Sequence, residues 1–567
     1  MPDAPALSAD RACPRDVRIG ASPAAQDRLR WLTPARCRGL LAVLLVAGFA
    51  SHLIYLMRDC PLDLSGDEAQ YWDWSRDLGL SYYSKGPLVA YLIRASCALF
   101  GDVMWAVRLP ALVLAAGTSL LTYWLTARLF RSERLALGAV LLTHLVPMFV
   151  AGSMLMTIDP PMYFCWAAAT CLAVKAVFDR RRWAWPAIGI AVGVGFLAKY
   201  AMFLWLVGFA VFLVWDRRGR RCLRTPWPWI VPLLALLFTI PVIAWNASHD
   251  WVSLRHVAVQ TGAAGARSAG NVLARVGEFL GGQVAGLGPV LFGIMVLAVI
   301  AALKRTRGPR RSSRSARAVR FLVAMGVPFF VLVGLTTLRA KVQVNWPAPA
   351  YFTLMILTAW LLSRRLVEPS RSRRAWRAWF VGGVVVPGLL FVPLAHDFSV
   401  VYPLLGRVGG WWSGDAHKPL ESRRIDPTAR LRGWRELGRA CGAQLEALGP
   451  GAFVLCLDYQ QTAETAFYTP GQPLTYCAGA YPSQGRKRFT QYDMWENRRL
   501  DRPDLRGRNA VYVGYMNDDV RAAFERVEAL PELVVTRRGL RVRRFLLWRC
   551  YGFRGMRFPD ADGAAEF

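Results

Sequence analysis

Gly39-Leu40-Leu41-Ala42-Val43-Leu44-Leu45-Val46-Ala47-Gly48-Phe49-Ala50-Ser51-His52-Leu53-Ile54-Tyr55-Leu56-Met57 contains no Asp, Glu, Lys or Arg. A bilayer hydrocarbon core of about 30 Å needs roughly 20 apolar residues in an α-helix, so this stretch reads as a membrane span. Ala50-Ser51 resembles a leader cleavage site, but the apolar run continues through Met57, which favours an uncleaved helix. Ten more segments of the same kind follow near 106–127, 135–151, 155–177, 184–198, 201–215, 228–245, 286–303, 319–338, 346–363 and 378–395. The expectation is a polytopic α-helical membrane protein of about eleven spans.

Composition agrees. Of 567 residues 54% are hydrophobic and the mean hydropathy is +0.27, above the 45–50% apolar content usual for soluble chains. An ordinary cytosolic enzyme, a disordered chain, a fibrous repeat and a secreted disulfide scaffold are excluded. The net charge of +32 would suggest nucleic acid if it were spread evenly. It is not: segments 1–38, 128–134, 180–182, 217–224, 304–320 and 364–377 hold 32 Lys and Arg together, and the loops alternating with them hold 11. Basic residues collect in cytoplasmic loops, where they face anionic headgroups. The reading is a cytoplasmic N-terminus, a C-terminal part on the periplasmic side of a bacterial inner membrane, and no nucleic-acid partner.

Three regions follow from this: a basic cytoplasmic segment 1–37, a transmembrane region 38–395, and an exported region 396–567. In the last, strand and helix signals alternate from about residue 427. Helices are expected at Arg435–Leu448, Ala463–Tyr468 and Asp518–Leu530. Strands are expected at Ala452–Leu457, Leu474–Cys477, Ala510–Val513, Leu533–Val535 and Val542–Leu547. This pattern predicts a small α/β domain. Cys60, Cys441, Cys456, Cys477 and Cys550 lie on the side where disulfides are permitted, and sequence alone does not choose a pairing.

The loop between the first two spans, 58–105, is far longer than a connector requires. It carries Asp63, Asp67, Glu68, Asp73 and Asp77 among Tyr71, Trp72, Trp74, Tyr82 and Tyr83. Asp67–Leu78 suits an amphipathic interfacial helix, and Leu88–Phe100 a second one lying in the membrane surface. Acids and aromatics at an interface also suit a plain solvated loop. The adjacent carboxylates Asp67-Glu68 and the cation in Tyr82-Tyr83-Ser84-Lys85-Gly86-Pro87 suggest more. A carboxylate can remove a proton from an attacking hydroxyl, typically about 10²–10⁴-fold in rate, and a nearby cation can hold a phosphate leaving group.

Other residues join this set by position. Asp159 opens Asp159-Pro160-Pro161 at the end of an apolar span, where an ionised group costs about 2.5–3.5 kcal/mol and is by default functional. Lys199 interrupts an apolar stretch. Arg339 and Lys341 precede Asn345-Trp346-Pro347 on a face with few other cations, and are candidates for donor phosphate binding with Lys85 and Lys199.

Gly66-Asp67-Glu68-Ala69-Gln70-Tyr71, Tyr82-Tyr83-Ser84-Lys85-Gly86-Pro87-Leu88, Val107-Arg108-Leu109-Pro110, Thr157-Ile158-Asp159-Pro160 and Phe196-Leu197-Ala198-Lys199-Tyr200 resemble, in this order, the family-39-type glycosyltransferases of the GT-C superfamily. That family includes the lipid A aminoarabinose transferases and, more distantly, the protein O-mannosyltransferases. The resemblance covers about residues 60–260 closely and the remainder by topology. Pro241–Asn246, Lys341–Pro347 and Gln491-Tyr492-Asp493-Met494-Trp495 are similar to a bacterial branch of unassigned acceptor. The resemblance implies a sugar donor carried on polyprenyl phosphate and used at the periplasmic face. It implies Asp67 as base with Glu68 beside it, Lys85 on the lipid phosphate, and a pocket completed by Asp159 with Tyr82, Tyr83 and Asn345. The aminoarabinose transferases carry an acidic residue before this Lys, where a metal can bind. Here it is Ser84, so a divalent metal rests on His249 and His256 as candidate ligands.

The functional expectation is a glycosyltransferase moving sugar from a polyprenyl-phosphate donor to a periplasmic lipid, glycan or protein, with inversion because one carboxylate suits a single displacement. The rival is a transporter or lipid flippase. Such proteins place charges and broken helices near the midplane of repeated halves, whereas these charges gather at one face.

Overall fold

A computed structural model describes residues 31–58, 60–263, 271–307, 313–366, 372–405, 426, 428–481 and 489–556. The basic segment 1–30 and the tail after Met556 lie outside these.

Each of the eleven apolar segments is helical. Among the described residues, six helices are long and apolar enough to cross a bilayer: Pro34–Arg58, Met104–Phe130, Trp227–Ala247, Pro289–Arg307, Arg314–Thr336 and Ser372–His396. A seventh crossing is formed if Glu133–His144 and Pro147–Met154 are one span, bent by 77°. The bend has a local cause, since Pro147 has no amide hydrogen to continue the helix. Asp159–Val177, Ala184–Ala198, Leu204–Trp215 and Ala348–Arg365 are helices packed within this bundle. Ala184–Ala198 ends at Lys199, whose backbone is extended (φ −151°) before the 3₁₀ turn Tyr200–Phe203.

The first loop forms the two expected helices, Gly66–Arg76 and Leu88–Phe100. Ser65 caps the first. Its hydroxyl accepts from Glu68 N, and Glu68 Oε2 accepts from Ser65 N at 2.9 Å, a capping box that satisfies two terminal amides. Rather than facing lipid, this helix is buried between Leu88–Phe100 and the C-terminal helix Tyr459–Tyr468. Tyr71, Trp72 and Trp74 are core residues there, not an interfacial belt.

In the C-terminal part, strands β1 (Phe453–Cys456), β2 (Thr475–Cys477), β3 (Ala510–Val513), β4 (Phe524–Ala529) and β7 (Leu547–Phe553) form one sheet in the order β2-β1-β3-β7-β4. β1 pairs parallel with β2 and β3, while β7 runs antiparallel to β3 and β4. β5 (Leu533–Arg537) and β6 (Leu540–Phe545) make a separate hairpin, turning at Arg538-Gly539 with φ of 47° and 82°. The expected helix Asp518–Leu530 is a correction. It stops at Ala522, and Phe524–Ala529 is strand β4. Phe524-Glu525-Arg526-Val527-Glu528-Ala529 has fair helical propensity, but pairing decides: Arg526 lies 4.0 Å over the Tyr551 ring and Tyr551 Oη donates to Glu528, cross-strand contacts that outweigh local preference. Cys441, Cys456, Cys477 and Cys550 are buried free thiols in this domain, and the described residues include no disulfide.

Two buried carboxylates stitch the first loop to this domain. Asp63 accepts from Trp434 N at 2.8 Å and pairs with Arg435 at 3.1 Å. Asp73 accepts from Tyr492 Oη at 2.9 Å and pairs with Arg498 at 3.0 Å. The Gln491–Trp495 motif is therefore part of this seam, and Gln491 Oε1 accepts from Tyr83 N at 2.7 Å.

Candidate active site

One cavity of about 1270 Å³ lies where the bundle, the first loop and the C-terminal domain meet. Its wall has two characters. Toward the first loop it is lined by Asp67, Lys85, Asp159, Lys199, His256, Arg430 and Arg543; along helices Pro34–Arg58 and Met104–Phe130 it is lined by Leu44, Leu45, Phe49, Leu112, Ala115 and Ala116. A charged end joined to an apolar arm suits an amphiphile with an anionic head.

Local sequence brings the charged end together. Asp67 is in the first turn of Gly66–Arg76 and opens onto the cavity, while Glu68 points the other way. Gly66 lets the C-terminal domain approach, because a Cβ there would stand 2.7 Å from Gln460 Cβ. Gln460 hydrogen-bonds Asp67. Burial raises the Asp67 pKa above the ordinary carboxylate range, and the positive charges of Lys85 and Arg430 partly offset this.

Lys85 sits on a tight turn held from several directions. Tyr82 N donates to Lys85 O at 3.1 Å, Ser253 Oγ donates to Tyr82 O at 2.9 Å, and Ser253 N donates to the buried Asn246 Oδ1 at 3.1 Å. The next residue must be glycine, since a Cβ on Gly86 would lie 2.2 Å from Leu197 O. That contact lays the Lys85 turn against the helix break at Lys199. Desolvation, joined by repulsion from Lys199, lowers the Lys85 pKa to about 8. Lys199 Nζ donates to Asp159 Oδ1 at 2.8 Å, and Asn345 Nδ2 donates to Asp159 Oδ2 at 2.6 Å. Helices Gly66–Arg76, Asp159–Val177, Ala348–Arg365 and Tyr459–Tyr468 all begin at the cavity wall, so their N-terminal dipole ends add to its attraction for anions.

Comparison with known proteins bears on this arrangement. The profile of a family described as dolichyl-phosphate-mannose-protein mannosyltransferase matches residues 84–245. The lipid A galacturonosyltransferase RgtD of Rhizobium johnstonii is 31% identical over 326 residues, covering 56% of this chain and 65% of that protein. The undecaprenyl phosphate-alpha-4-amino-4-deoxy-L-arabinose arabinosyl transferase of Pseudomonas aeruginosa is 31% identical over 186 residues, 31% of this chain and 32% of that protein. The chain thus spans just under two thirds of one curated relative and about a third of the other. The crystal structure of ArnT from Cupriavidus metallidurans bound to undecaprenyl phosphate matches with a TM-score of 0.52 at 17% identity, over 89% of this chain and 97% of that one. The chain has the fold of that structure.

The resemblance carried by the loop motifs is thereby borne out, and the chain is a multi-pass membrane protein. On this frame Asp67, Lys85, Asp159, Lys199, Asn345 and Tyr83 do converge on one cavity. Four expected site residues do not line it. Glu68 is fully buried and takes a two-pronged contact from Arg108, Nε to Oε1 at 2.9 Å and Nη2 to Oε2 at 3.0 Å, with Met156 N as a further donor. Its oxygens hold the loop to the bundle. Tyr82 is buried, stacked on Trp74 with ring centroids 4.4 Å apart, and donates to Trp74 O. Arg339 is exposed away from the cavity, and Lys341 pairs with Glu278 at 2.9 Å on the surface.

The candidate metal ligands diverge too. His249 stacks on Trp245, whereas His256 lines the cavity against Tyr83. Among the described residues no three His, Cys, Asp or Glu groups gather as a cation site. With Ser84 in the acidic position, the residues present do not fit a divalent ion. Sequence reasoning missed Arg430, Arg543 and Gln460. They reach the cavity from a domain more than 360 positions along the chain, and no local pattern marks them.

Proposed function

We propose that this GT-C protein is an inner-membrane glycosyltransferase that moves a sugar from polyprenyl phosphate to a periplasmic acceptor. The supporting observation is the single cavity in which Asp67 and Lys85 stand at the head of an apolar arm. The prenyl chain lies along Leu44, Phe49 and Leu112, and its phosphate meets Lys85 and Lys199. The acceptor hydroxyl attacks the anomeric carbon. Asp67 takes the hydroxyl proton, the bond from that carbon to the phosphate oxygen breaks, and polyprenyl phosphate leaves with the electron pair. One displacement inverts the anomeric centre. A carboxyl whose pKa is raised by burial is a stronger base than an ordinary one. Lys85 and Lys199 neutralise the charge growing on the leaving phosphate.

The finer arrangement belongs to the same reading: eleven crossings, a cytoplasmic N-terminus, a transmembrane region 38–395 and a periplasmic domain 396–567. The rival transporter reading has no comparable support, because the ionisable groups gather at one end of the cavity and not about a pair of repeated halves.

The decisive experiment compares envelope lipids and glycans by mass spectrometry from cells carrying the wild-type chain, no chain, or Asp67→Asn. A hexose, pentose or aminosugar mass present on one component only with the wild-type chain names donor and acceptor together. An undiminished product from Asp67→Asn sinks the mechanism.

A further inference from the structure

Two groups of cations flank Asp67. Lys85 stands with Lys199 and Asp159, the charges it feels most strongly besides Asp67 itself. Arg430 acts on Asp67 from the C-terminal domain. A donor with one phosphate fills the lysine end under the transferase reading, which leaves the arginine with no ligand phosphate to meet.

Hydrogen bonds and packing hold the backbone at Arg430. Its carbonyl accepts from Trp434 Nε1 at 3.1 Å and from Arg543 Nη1 at 3.0 Å. The Arg543 guanidinium lies 3.8 Å over the Trp434 ring. Ala429 and Leu431 on either side are buried, and Leu431 O accepts from Asp63 N at 2.7 Å. The Arg430 side chain itself is exposed at the cavity wall, and no carboxylate among the described residues lies within ion-pair distance. A hydrogen-bonded backbone that presents to a cavity a guanidinium with no carboxylate in ion-pair contact is suited to gripping phosphate or carboxylate in two-pronged fashion.

We propose that Arg430 is a specificity-determining residue that binds an anionic group, phosphate or carboxylate, on the acceptor and so sets the neighbouring hydroxyl at Asp67. This deepens the transferase reading and rests on it. A neutral acceptor of the same shape would then be used poorly, because burying part of this cavity under it leaves a cation unmatched.

The test uses the full chain in lipid nanodiscs with two probes, undecaprenyl phosphate for the lysine end and glucose 6-phosphate for the arginine end, with glucose as neutral control. Glucose 6-phosphate is expected to bind together with saturating undecaprenyl phosphate, and glucose is not. Arg430→Gln is expected to weaken glucose 6-phosphate by about tenfold or more, the size of a lost charge-assisted contact, with undecaprenyl phosphate affinity unchanged. Arg430→Lys, which keeps the charge and loses the fork, should fall between, and it serves if the Gln variant fails to fold. Mutual exclusion of the two probes, or equal loss of both in Arg430→Gln, or no loss of either, overturns the proposal. Failure of undecaprenyl phosphate to bind the wild-type chain sinks the transferase reading instead, and is read separately from the Arg430 dependence.

Discussion

Lys199 Nζ lies 2.8 Å from Asp159 Oδ1, joining a helix break to the first turn of a neighbouring helix. The pair is partly exposed and ties up a cation that meets the donor phosphate under the proposed reading. Releasing it should therefore change donor affinity and turnover in opposite directions. Asp159→Asn is expected to tighten undecaprenyl phosphate binding by about fivefold, in line with roughly 1 kcal/mol for a partly exposed pair, while transfer falls. Lys199→Ala should weaken binding. Titration of both variants in nanodiscs checks this, and the same direction of change in both would refute it.

Asp67→Asn should lose about 10²–10⁴-fold in turnover, the worth of a positioned general base. Its thermal unfolding should not fall, because the substitution removes a buried charge and retains the shape. Melting temperature and product formation measured on one preparation separate loss of chemistry from loss of fold.

Donor affinity should depend on pH through Lys85. Its ammonium form attracts phosphate, and its pKa is lowered to about 8. Affinity is therefore steady below that value and declines as pH rises through it, by about tenfold per unit once Lys85 is mostly neutral. Lys85→Arg keeps its charge across this range and should abolish the break in a plot of log Kd against pH. An identical break in that variant would assign it to another group.

Gly86→Ala should cost stability and activity together. A Cβ there meets Leu197 O at 2.2 Å, a clash with backbone that no rotamer relieves, and overpacking of this kind costs about 1–3 kcal/mol. Gly138→Ala, with nothing within 4 Å of the added Cβ, is the control and should melt within a degree or so of wild type.

Glu464 gives the chain a pH-dependent weakness. It is fully buried in the seam between the first loop and the C-terminal domain, and neither carboxylate oxygen has a hydrogen-bond partner among the described residues. Burial, helped by the negative charge of Asp63, raises its pKa well above the usual value, while Arg543 and Arg108 offset this in part and Glu68 adds to it. A carboxyl with a raised folded-state pKa lends full stability below its unfolded pKa of about 4.3 and loses it as pH rises toward the folded value. Glu464→Gln should remove this component. Melting temperatures of wild type and variant from pH 5 to 9 should diverge upward in favour of the variant, and parallel curves would contradict the account.

The sequence disclosed most of the frame because hydrophobic length and period are local properties. The run 39–57, the loop helices and the parallel strands at 453–456 and 510–513 each bear their own pattern. The Ser65–Glu68 capping box and the acid at position 67 are equally local, so the candidate base was legible too. What escaped depended on distant partners. Glu68 looks like a twin of Asp67 until Arg108 claims it. Asp73 looks like a solvated surface acid until Tyr492 and Arg498 arrive from more than 400 positions away. Strand β4 carries a helix-compatible sequence that only its pairing with β7 overrides. Arg339 and Lys341 lie on a face poor in cations, but orientation within the loop turned them outward.

The seam at Asp63 and Asp73 also constrains biogenesis. Both acids precede by more than 370 positions the cations that pair with them across the seam, Arg435 and Arg498. The first loop therefore gains these two pairings only once the C-terminal domain has been made. A chain that stops before the C-terminal domain leaves the cavity without the wall that Gln460, Thr490 and Arg543 supply.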